Sequence, residues 1–198
     1  MTVSFAIRPS DFAGDTEPSL VERLAAGDVG AFDEVYRAHH VAVRAFANRF
    51  LGDAAAAEDL VHDVFVVLRG AIRRFRGDAS LRSFLIAIAI KRSYKHVRSA
   101  GRRRAAMAKL AEQPDVSPIT PDALVARQQL AHALYAALDQ LPGDQRTAFV
   151  LCEIDDMTAA EVGVLVDAPE ATVRTRLFHA RKKLRALLTE VRDVWEVR

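Results

Sequence analysis

The stretch from Pro169 to Leu184, PEATVRTRLFHARKKL, is the most informative part of this chain. On a helix it has a stripe of apolar side chains at spacings of four, three and four residues, typical of a face packed on a core. The opposite stripe carries Arg174, Thr175, Phe178, His179 and Lys182. Cations beside a hydroxyl, an imidazole and an aromatic ring are what a helix in a DNA groove presents. An ordinary solvated basic helix is the alternative.

The residues before this stretch favour DNA binding. TAAE, residues 158 to 161, is a capping box that predicts the start of a short helix, AAEVGVLV. A three-residue break, Asp167 to Pro169, separates this helix from the cationic one, and Gly163 allows a close approach between them. A short helix, a tight turn and a longer helix with a cationic outer face form a helix-turn-helix. The sequence therefore predicts a DNA-binding domain here.

Charge is unevenly distributed along the 198-residue chain, although the formal net charge is only +2. Residues 1 to 68 contain five arginines and eleven carboxylates, whereas residues 69 to 104 contain twelve lysines or arginines and a single acid, Asp78. This segregation indicates that one face of the protein meets an anion. Hydrophobic residues make up 51% of the chain, which is enough to form real cores and excludes a disordered chain.

Apolar residues recur at helical spacings, and we predict an all-α fold of two small helical domains. EQPDVSPITP, residues 112 to 121, holds three prolines and no helical period, so it predicts an exposed linker between the domains. No apolar stretch approaches the roughly 18 residues of a membrane span. The single cysteine, Cys152, excludes a disulfide framework, and the N-terminus lacks a signal-peptide core, so we expect a cytoplasmic protein.

Two helices of the first domain are predicted to carry opposite charges. Asp53 can cap the helix over residues 54 to 72. The outward face of that helix carries Glu58, Asp59, His62 and Asp63. This cluster lacks a second group that would close a metal site, so we predict a solvated or partner-binding face and no metal.

The second of these helices is basic. Ser80 can cap it, and beyond Lys91 it becomes strongly cationic, with the rings of Tyr94 and His96 among the cations. Cations neutralise phosphates and release counterions, while flat rings can stack on exposed bases. This pattern favours a nucleic-acid contact over a merely solvated helix end.

Four motifs along the chain resemble those of the extracytoplasmic-function (group 4) sigma factors of bacterial RNA polymerase. The motifs are AEDLVHDVF (57 to 65), FRGDASLRSFLIAIA (75 to 89), LPGDQRTAFVLCEIDDMTAAEV (141 to 162) and TVRTRLFHARKKLRALL (172 to 188). They occur in the family's order, with a linker where the family has one. The resemblance extends from about Ser19 to Leu188.

The resemblance implies a first domain, matching sigma region 2, that binds the β′ clamp helices of core RNA polymerase and the −10 promoter element. A second domain, matching region 4, would bind the −35 element and the β flap. We therefore expect a flexible arm over residues 1 to 18, region 2 over 19 to 108, a linker over 109 to 121 and region 4 over 122 to 192. The family also implies strand opening, signal-responsive activity and an anti-sigma partner, and no cofactor is indicated.

Site residues follow from the resemblance, position by position. The −35 readers match Arg174, Thr175, Phe178 and His179, with Lys182 as a phosphate contact. The core polymerase contacts match Glu58, Asp59, His62 and Asp63. The −10 contacts match Phe75, Arg76, Ser80, Phe84, Lys91, Arg92, Lys95 and Arg98. Arg174 would donate to purine acceptors in the major groove, and Phe178 would lie against thymine methyl groups.

Three −10 positions depart from the family's pattern. Phe84 stands where Trp is usual, Lys91 where Asn is frequent, and Lys95 where Asp is common. Lysine only donates hydrogen bonds, so it cannot reproduce the paired donor and acceptor of an amide. We therefore predict weaker or unusual base discrimination at −10, with affinity for the DNA backbone maintained or raised.

A fourth departure from the family's pattern lies in the turn of the helix-turn-helix. Asp167 replaces the turn glycine, and because Asp tolerates left-handed geometry, the turn is expected to form.

Two alternatives belong to other functional classes. A stand-alone helix-turn-helix regulator would not need the separate basic domain or the acidic helix. An enzyme, for instance a helical nuclease or hydrolase, would need a nucleophile with its base and orienting group, or a closed carboxylate cluster. The sequence offers no such set and therefore no catalytic residue, and we predict a transcription factor that is not an enzyme.

Overall fold

The computed structural model describes residues 18 to 75, 77, 79 to 111 and 122 to 196, and all regular secondary structure in those ranges is helical. The first four helices are α1 (Pro18–Ala25), α2 (Val29–Leu51), α3 (Ala54–Ala71) and α4 (Leu81–Ala111). The others are α5 (Asp122–Leu138), α6 (Gly143–Phe149), α7 (Ala159–Val166) and α8 (Glu170–Glu196). A 3₁₀ turn, Ile72–Arg74, follows α3, and α6 continues into a π-helical turn, Val150–Ile154. The prediction of an all-α fold is confirmed.

Helix starts coincide with capping residues that the sequence contains. The Asp53 carboxylate accepts a hydrogen bond of 2.7 Å from the Ala56 amide at the start of α3. The Ser80 hydroxyl accepts one of 3.1 Å from the Ser83 amide at the start of α4. These bonds satisfy amides that have no partner inside the helix. The predicted capping box of Thr158 at the start of α7 is also present.

The helix ends differ from the predicted domain boundaries. Helix α4 continues through Ala111, three residues into the predicted linker, and α8 continues through Glu196. Helix α1 begins at Pro18, the last residue of the predicted arm. The rest of that arm, residues 1 to 17, and the linker residues 112 to 121 lie outside the described residues. Of the helices that the structure describes, none combines the length and the apolar character needed to cross a membrane.

Buried side chains connect the two groups of helices. One continuous apolar cluster includes Phe46 of α2, Leu60 of α3 and Leu85 of α4, and it extends to Leu151 and Val162 beyond α5. A smaller cluster joins α5 to α8 through Ala137, Leu138, Leu141, Ala180 and Leu184. The helices predicted as two domains therefore pack against each other, an arrangement that the linker alone did not indicate.

Candidate nucleic-acid and polymerase interface

Helix α8 is held in place by its apolar stripe and by polar contacts on one flank. Val173, Ala180 and Leu184 are buried, as their spacing predicts. Arg176 forms an ion pair of 3.0 Å with Asp144 at the start of α6. The Lys183 ammonium donates a hydrogen bond of 2.6 Å to the carbonyl of Gln140. The apolar stripe and these two contacts, which lie on one flank, hold α8 against the rest of the protein and set the direction of its outward face.

The outward face of α8 carries all the predicted −35 readers. The exposed residues are Arg174, Thr175, Phe178, His179 and Lys182. They extend over about 12 Å of helix axis, because each residue adds about 1.5 Å. Phe178 is 63% exposed, an unusual position for a phenylalanine beside cations. Arg174 is paired with Glu170 one turn earlier, so its guanidinium must leave that partner to contact a base.

The turn before α8 has the predicted geometry. Asp167 ends α7 in the left-handed region with φ at +53°, as expected for an Asp replacing a turn glycine. A Cβ added at Gly163 would lie 2.6 Å from the Ala168 carbonyl oxygen, which is closer than such atoms approach. Gly163 is therefore required by the close approach of this turn, and the helix-turn-helix prediction is confirmed.

The candidate −10 segment precedes α4 and continues along it. The rings of Phe75 and Phe84 lie 5.2 Å apart between centroids, and both side chains are half-buried. The Ser80 hydroxyl caps α4 and lies 2.9 Å from the Ser83 hydroxyl. Arg76, a further predicted contact, lies outside the described residues. Two aromatic rings beside a helix start form a surface against which an unstacked base can lie.

The cations of α4 form a stripe in line with Phe84. Lys91, Lys95 and Arg98 follow Phe84 at helical intervals of seven, eleven and fourteen residues, and the three cations are exposed. Arg92 is exposed on an adjacent face. A line of cations next to the two rings suits a single strand whose phosphates run along the helix.

Two rings predicted among these cations have other roles. His96 is buried, and its Nε2 lies 2.8 Å from a carboxylate oxygen of Asp63 on α3. The Tyr94 hydroxyl lies 3.1 Å from the Thr147 hydroxyl of α6. The base-stacking interpretation is wrong for His96, which is buried against α3, whereas Tyr94 is 39% exposed and its stacking role stays a prediction. Helical periodicity could not reveal this, since it does not show which neighbour covers a face.

The acidic face of α3 is only partly as predicted. Glu58, Asp59 and His62 are exposed, and Glu58 also pairs with Arg44 of α2 at 2.8 Å. Asp63 is half-buried against His96, so it joins α3 to α4 rather than standing fully exposed. Within the described ranges, no group of three or more His, Cys, Asp or Glu side chains is placed to hold a metal ion.

One exposed apolar residue on this face was missed. Val66 is 55% exposed and lies one turn after His62, on the side of α3 that carries the acidic residues. Val66 lies among charged residues and outside the buried apolar stripe, so helical periodicity alone does not single it out. A search for apolar residues on a polar face would have found it.

Comparisons with known proteins identify the family. The model for sigma-70 region 2 matches residues 35–103, and that for sigma-70 region 4 matches residues 131–184. The RNA polymerase sigma-H factor of Pseudomonas aeruginosa is 30% identical over 188 residues, covering 89% of this chain and 97% of that protein. The chain belongs to the sigma-70 family. More narrowly, it is a sigma factor of the extracytoplasmic-function group.

Further relatives are similar over nearly the same length. The ECF RNA polymerase sigma-E factor of Haemophilus influenzae is 27% identical, covering 85% of this sigma factor and 93% of that protein. The structure of CnrH in complex with the cytosolic domain of CnrY aligns with a TM-score of 0.56 and 26% identity, covering 89% of this chain and 99% of that one. This sigma factor therefore recognises promoters and initiates transcription with RNA polymerase.

Proposed function

We propose that α8 reads the −35 element and that the segment from Phe75 to Arg98 captures and opens the −10 element. The observation that carries this proposal is the outward face of α8, where an exposed phenylalanine lies between cations on the second helix of a helix-turn-helix. Such a helix enters the major groove with its N-terminal half, where Arg174 and Phe178 lie.

On the −35 element, Arg174 donates to the acceptors of a purine, and this requires it to exchange Glu170 for the base. Phe178 lies against thymine methyl groups, and Thr175 and His179 complete the base contacts. Lys182, eight residues after Arg174, neutralises a phosphate. The contacts to Asp144 and Gln140 hold α8 rigidly, so few degrees of freedom are lost on binding.

On the −10 element, the paired rings of Phe75 and Phe84 receive a base that leaves the duplex. Stacking on these rings replaces part of the stacking lost inside the DNA. Lys91, Lys95 and Arg98 then hold the phosphates of the same strand, with Arg92 beside them. Arg76 is a further proposed contact of this segment. Because lysine side chains only donate hydrogen bonds, this stripe increases the affinity for DNA and adds little discrimination between bases.

The polymerase-binding surface is the exposed side of α3. Asp59, His62 and Val66 form its centre, with Glu58 at its edge. We place this sigma factor in the cytoplasm, where core polymerase and promoter DNA are found. A dedicated anti-sigma factor is a further proposed partner, supported by the solved structure of CnrH with CnrY and by that of RpoE from Bartonella quintana with NepR.

Run-off transcription with bacterial core polymerase on a promoter library tests the proposal. We expect initiation from a subset of templates that share a −35 and a −10 motif. The Arg174→Ala variant should lose these transcripts, whereas Arg37→Ala, which removes an exposed arginine from α2, should retain them. Absence of both core binding and promoter-dependent initiation would contradict the proposal.

Selection of open −10 sequences from a randomised pool tests the role of Lys91. We expect a weak consensus that changes little in Lys91→Ala, together with a uniform loss of affinity across the pool. A sharp consensus that disappears in Lys91→Ala would show that this lysine reads a base.

A further inference from the structure

The outward face of α8 includes a carboxylate one turn before Arg174. Glu170, Arg174 and Phe178 follow one another at intervals of four residues, so they lie along one side of the helix, and all three are exposed. A carboxylate oxygen of Glu170 accepts a hydrogen bond from the Arg174 guanidinium. The two side chains are 45% and 72% exposed, and an exposed ion pair of this kind contributes little to stability. The pair therefore separates easily, and it lies on the side of α8 assigned to the DNA.

Contact between Arg174 and a base changes the surroundings of Glu170. When the guanidinium turns to the acceptors of a purine, the Glu170 carboxylate loses its partner and remains beside the groove. It is then a negative group close to the phosphates, and an ionised carboxylate can only accept hydrogen bonds. A charged group that is desolvated without a donor weakens binding. Glu170 therefore needs a new donor in the DNA.

The base edges in the major groove offer two kinds of donor. They are the exocyclic amines of cytosine and adenine, whereas the corresponding groups of guanine and thymine are oxygen acceptors. The cytosine amine is the usual partner of a glutamate in base contacts. Four residues separate Glu170 from Arg174, which is about 6 Å of helix axis, and successive base pairs lie about 3.4 Å apart. The amine therefore belongs to the base pair that Arg174 contacts or to one close beside it.

Thr175 presents the same hydrogen-bonding polarity for a different reason. Its hydroxyl donates its single proton to the carbonyl of Ala171 at 2.9 Å, a bond that helical threonines often make. The remaining lone pairs of the hydroxyl can only accept, so they also favour an amine over a keto oxygen. The outward face of α8 therefore combines one donor group, Arg174, with two acceptors, Glu170 and Thr175.

We propose that Glu170 is a specificity-determining residue that selects a base with an exocyclic amine, cytosine or adenine, close to the purine contacted by Arg174. The inference rests on the proposed function, because it takes α8 as the helix that reads the −35 element. Thr175 applies the same preference at a second position. Glu170 acts mainly against the wrong bases, because a guanine or thymine oxygen that faces the carboxylate repels it.

Binding of holoenzyme to a complete set of single-base −35 variants tests this inference. The wild type should discriminate against guanine and thymine at one position by at least about fivefold. Glu170→Gln should lose that discrimination and keep the preferences at other positions, because an amide both donates and accepts and so tolerates every base. Thermal unfolding should show that both proteins are folded at the assay temperature. An unchanged preference at every position in Glu170→Gln would overturn the inference.

The matched control is Glu153→Gln. Glu153 pairs with another exposed arginine of α8, Arg181, whose Nε lies 3.2 Å from a carboxylate oxygen. The control therefore makes the same chemical change and also releases an arginine from its carboxylate. We expect it to raise the affinity for all −35 variants by a similar factor, because the released cation attracts phosphates. If Glu170→Gln has only this uniform effect, Glu170 merely screens the charge of Arg174 and the inference is wrong.

Thr175 provides a second test of the same polarity. Thr175→Val keeps the shape of the side chain without the hydroxyl, so it should lose the preference for an amine at one further position, whereas Thr175→Ser should retain it. Equal preferences in these two variants would contradict the role of Thr175.

The same measurements separate this inference from the proposed function. A wild-type holoenzyme without any −35 preference would overturn the proposed function and the inference together. A clear preference that Arg174→Ala relaxes and Glu170→Gln leaves intact would overturn the inference alone.

Discussion

The two cationic helices, α4 and α8, each combine an apolar face with a cationic face, but they pack against different surroundings. Helix α8 packs along one side, and the side chains predicted to face outward do so. Helix α4 is contacted by α2 and α3 on one side and by α5 and α7 on another. Of its rings, His96 contacts Asp63 of α3, and the Tyr94 hydroxyl contacts Thr147 of α6. Periodicity therefore predicts which side chains are exposed on a helix with one packed face, but not on a helix that is packed on several sides.

The two helices are therefore suited to different tasks, base recognition by α8 and sequence-independent DNA binding by α4. The exposed face of α8 contains the groups suited to base edges, namely an arginine, a hydroxyl and a ring. The exposed stripe of α4 retains cations, which bind any sequence. We therefore expect substitutions of Arg174, Thr175 or Phe178 on α8 to change sequence preference, and substitutions on α4 to change either affinity or folding.

The largest expected effect concerns His96. His96→Ala removes a buried ring and its contact with Asp63, so we expect the free energy of unfolding to fall by about 2–4 kcal/mol. Denaturant unfolding of the purified protein measures this loss. His62→Ala, on the exposed side of α3, is the control and should change stability little. A stable His96→Ala protein with reduced affinity for single-stranded DNA would restore the base-stacking interpretation.

Arg174→Ala should have the next largest effect, on DNA recognition rather than stability. A lost bidentate contact to a purine costs about 1–3 kcal/mol of binding and relaxes preference at one base pair. Electrophoretic mobility shifts with holoenzyme and a set of single-base −35 variants measure both quantities. If Arg174→Ala weakens binding to all −35 DNA variants equally, Arg174 is a phosphate contact. The proposed difference between base recognition by α8 and phosphate binding by α4 is then wrong.

Asp155 predicts a pH dependence of stability. Burial raises the pKa of this carboxyl despite the ion pair with Arg49, so the folded state holds its proton more tightly than the unfolded state does. The wild type should therefore lose stability relative to Asp155→Asn as the pH rises above the ordinary pKa of aspartate. Unfolding curves of both proteins at acidic and neutral pH give this difference. A difference that grows in favour of the wild type with rising pH would mean that the ion pair outweighs burial.

The smallest expected effect concerns Lys182. Lys182→Ala should weaken holoenzyme binding equally across −35 variants and lower the dependence of log affinity on log salt by about one unit. Titrations at several salt concentrations measure this slope. An altered base preference would make Lys182 a reader like Arg174.

Much of the fold and of the candidate site follows from local chemistry. Asp53, Ser80 and Thr158 begin helices because their side chains accept hydrogen bonds from otherwise unpaired amides. Asp167 ends α7 because Asp tolerates the left-handed backbone. These effects operate within a few residues, so the sequence contains all the information they need. The outward direction of Phe178 follows in the same way from the apolar stripe behind it.

What the sequence determined by itself is the set of helices, their caps and the division of charge between α3 and α4. The tertiary structure alone decided that Asp63 pairs with His96, and that Tyr135 and Arg146 cap a helix in the other half of the chain. These contacts join residues 33, 86 and 96 positions apart. Their partners depend on how whole helices pack, because an exposed carbonyl or carboxylate can be satisfied by any donor that packing brings near.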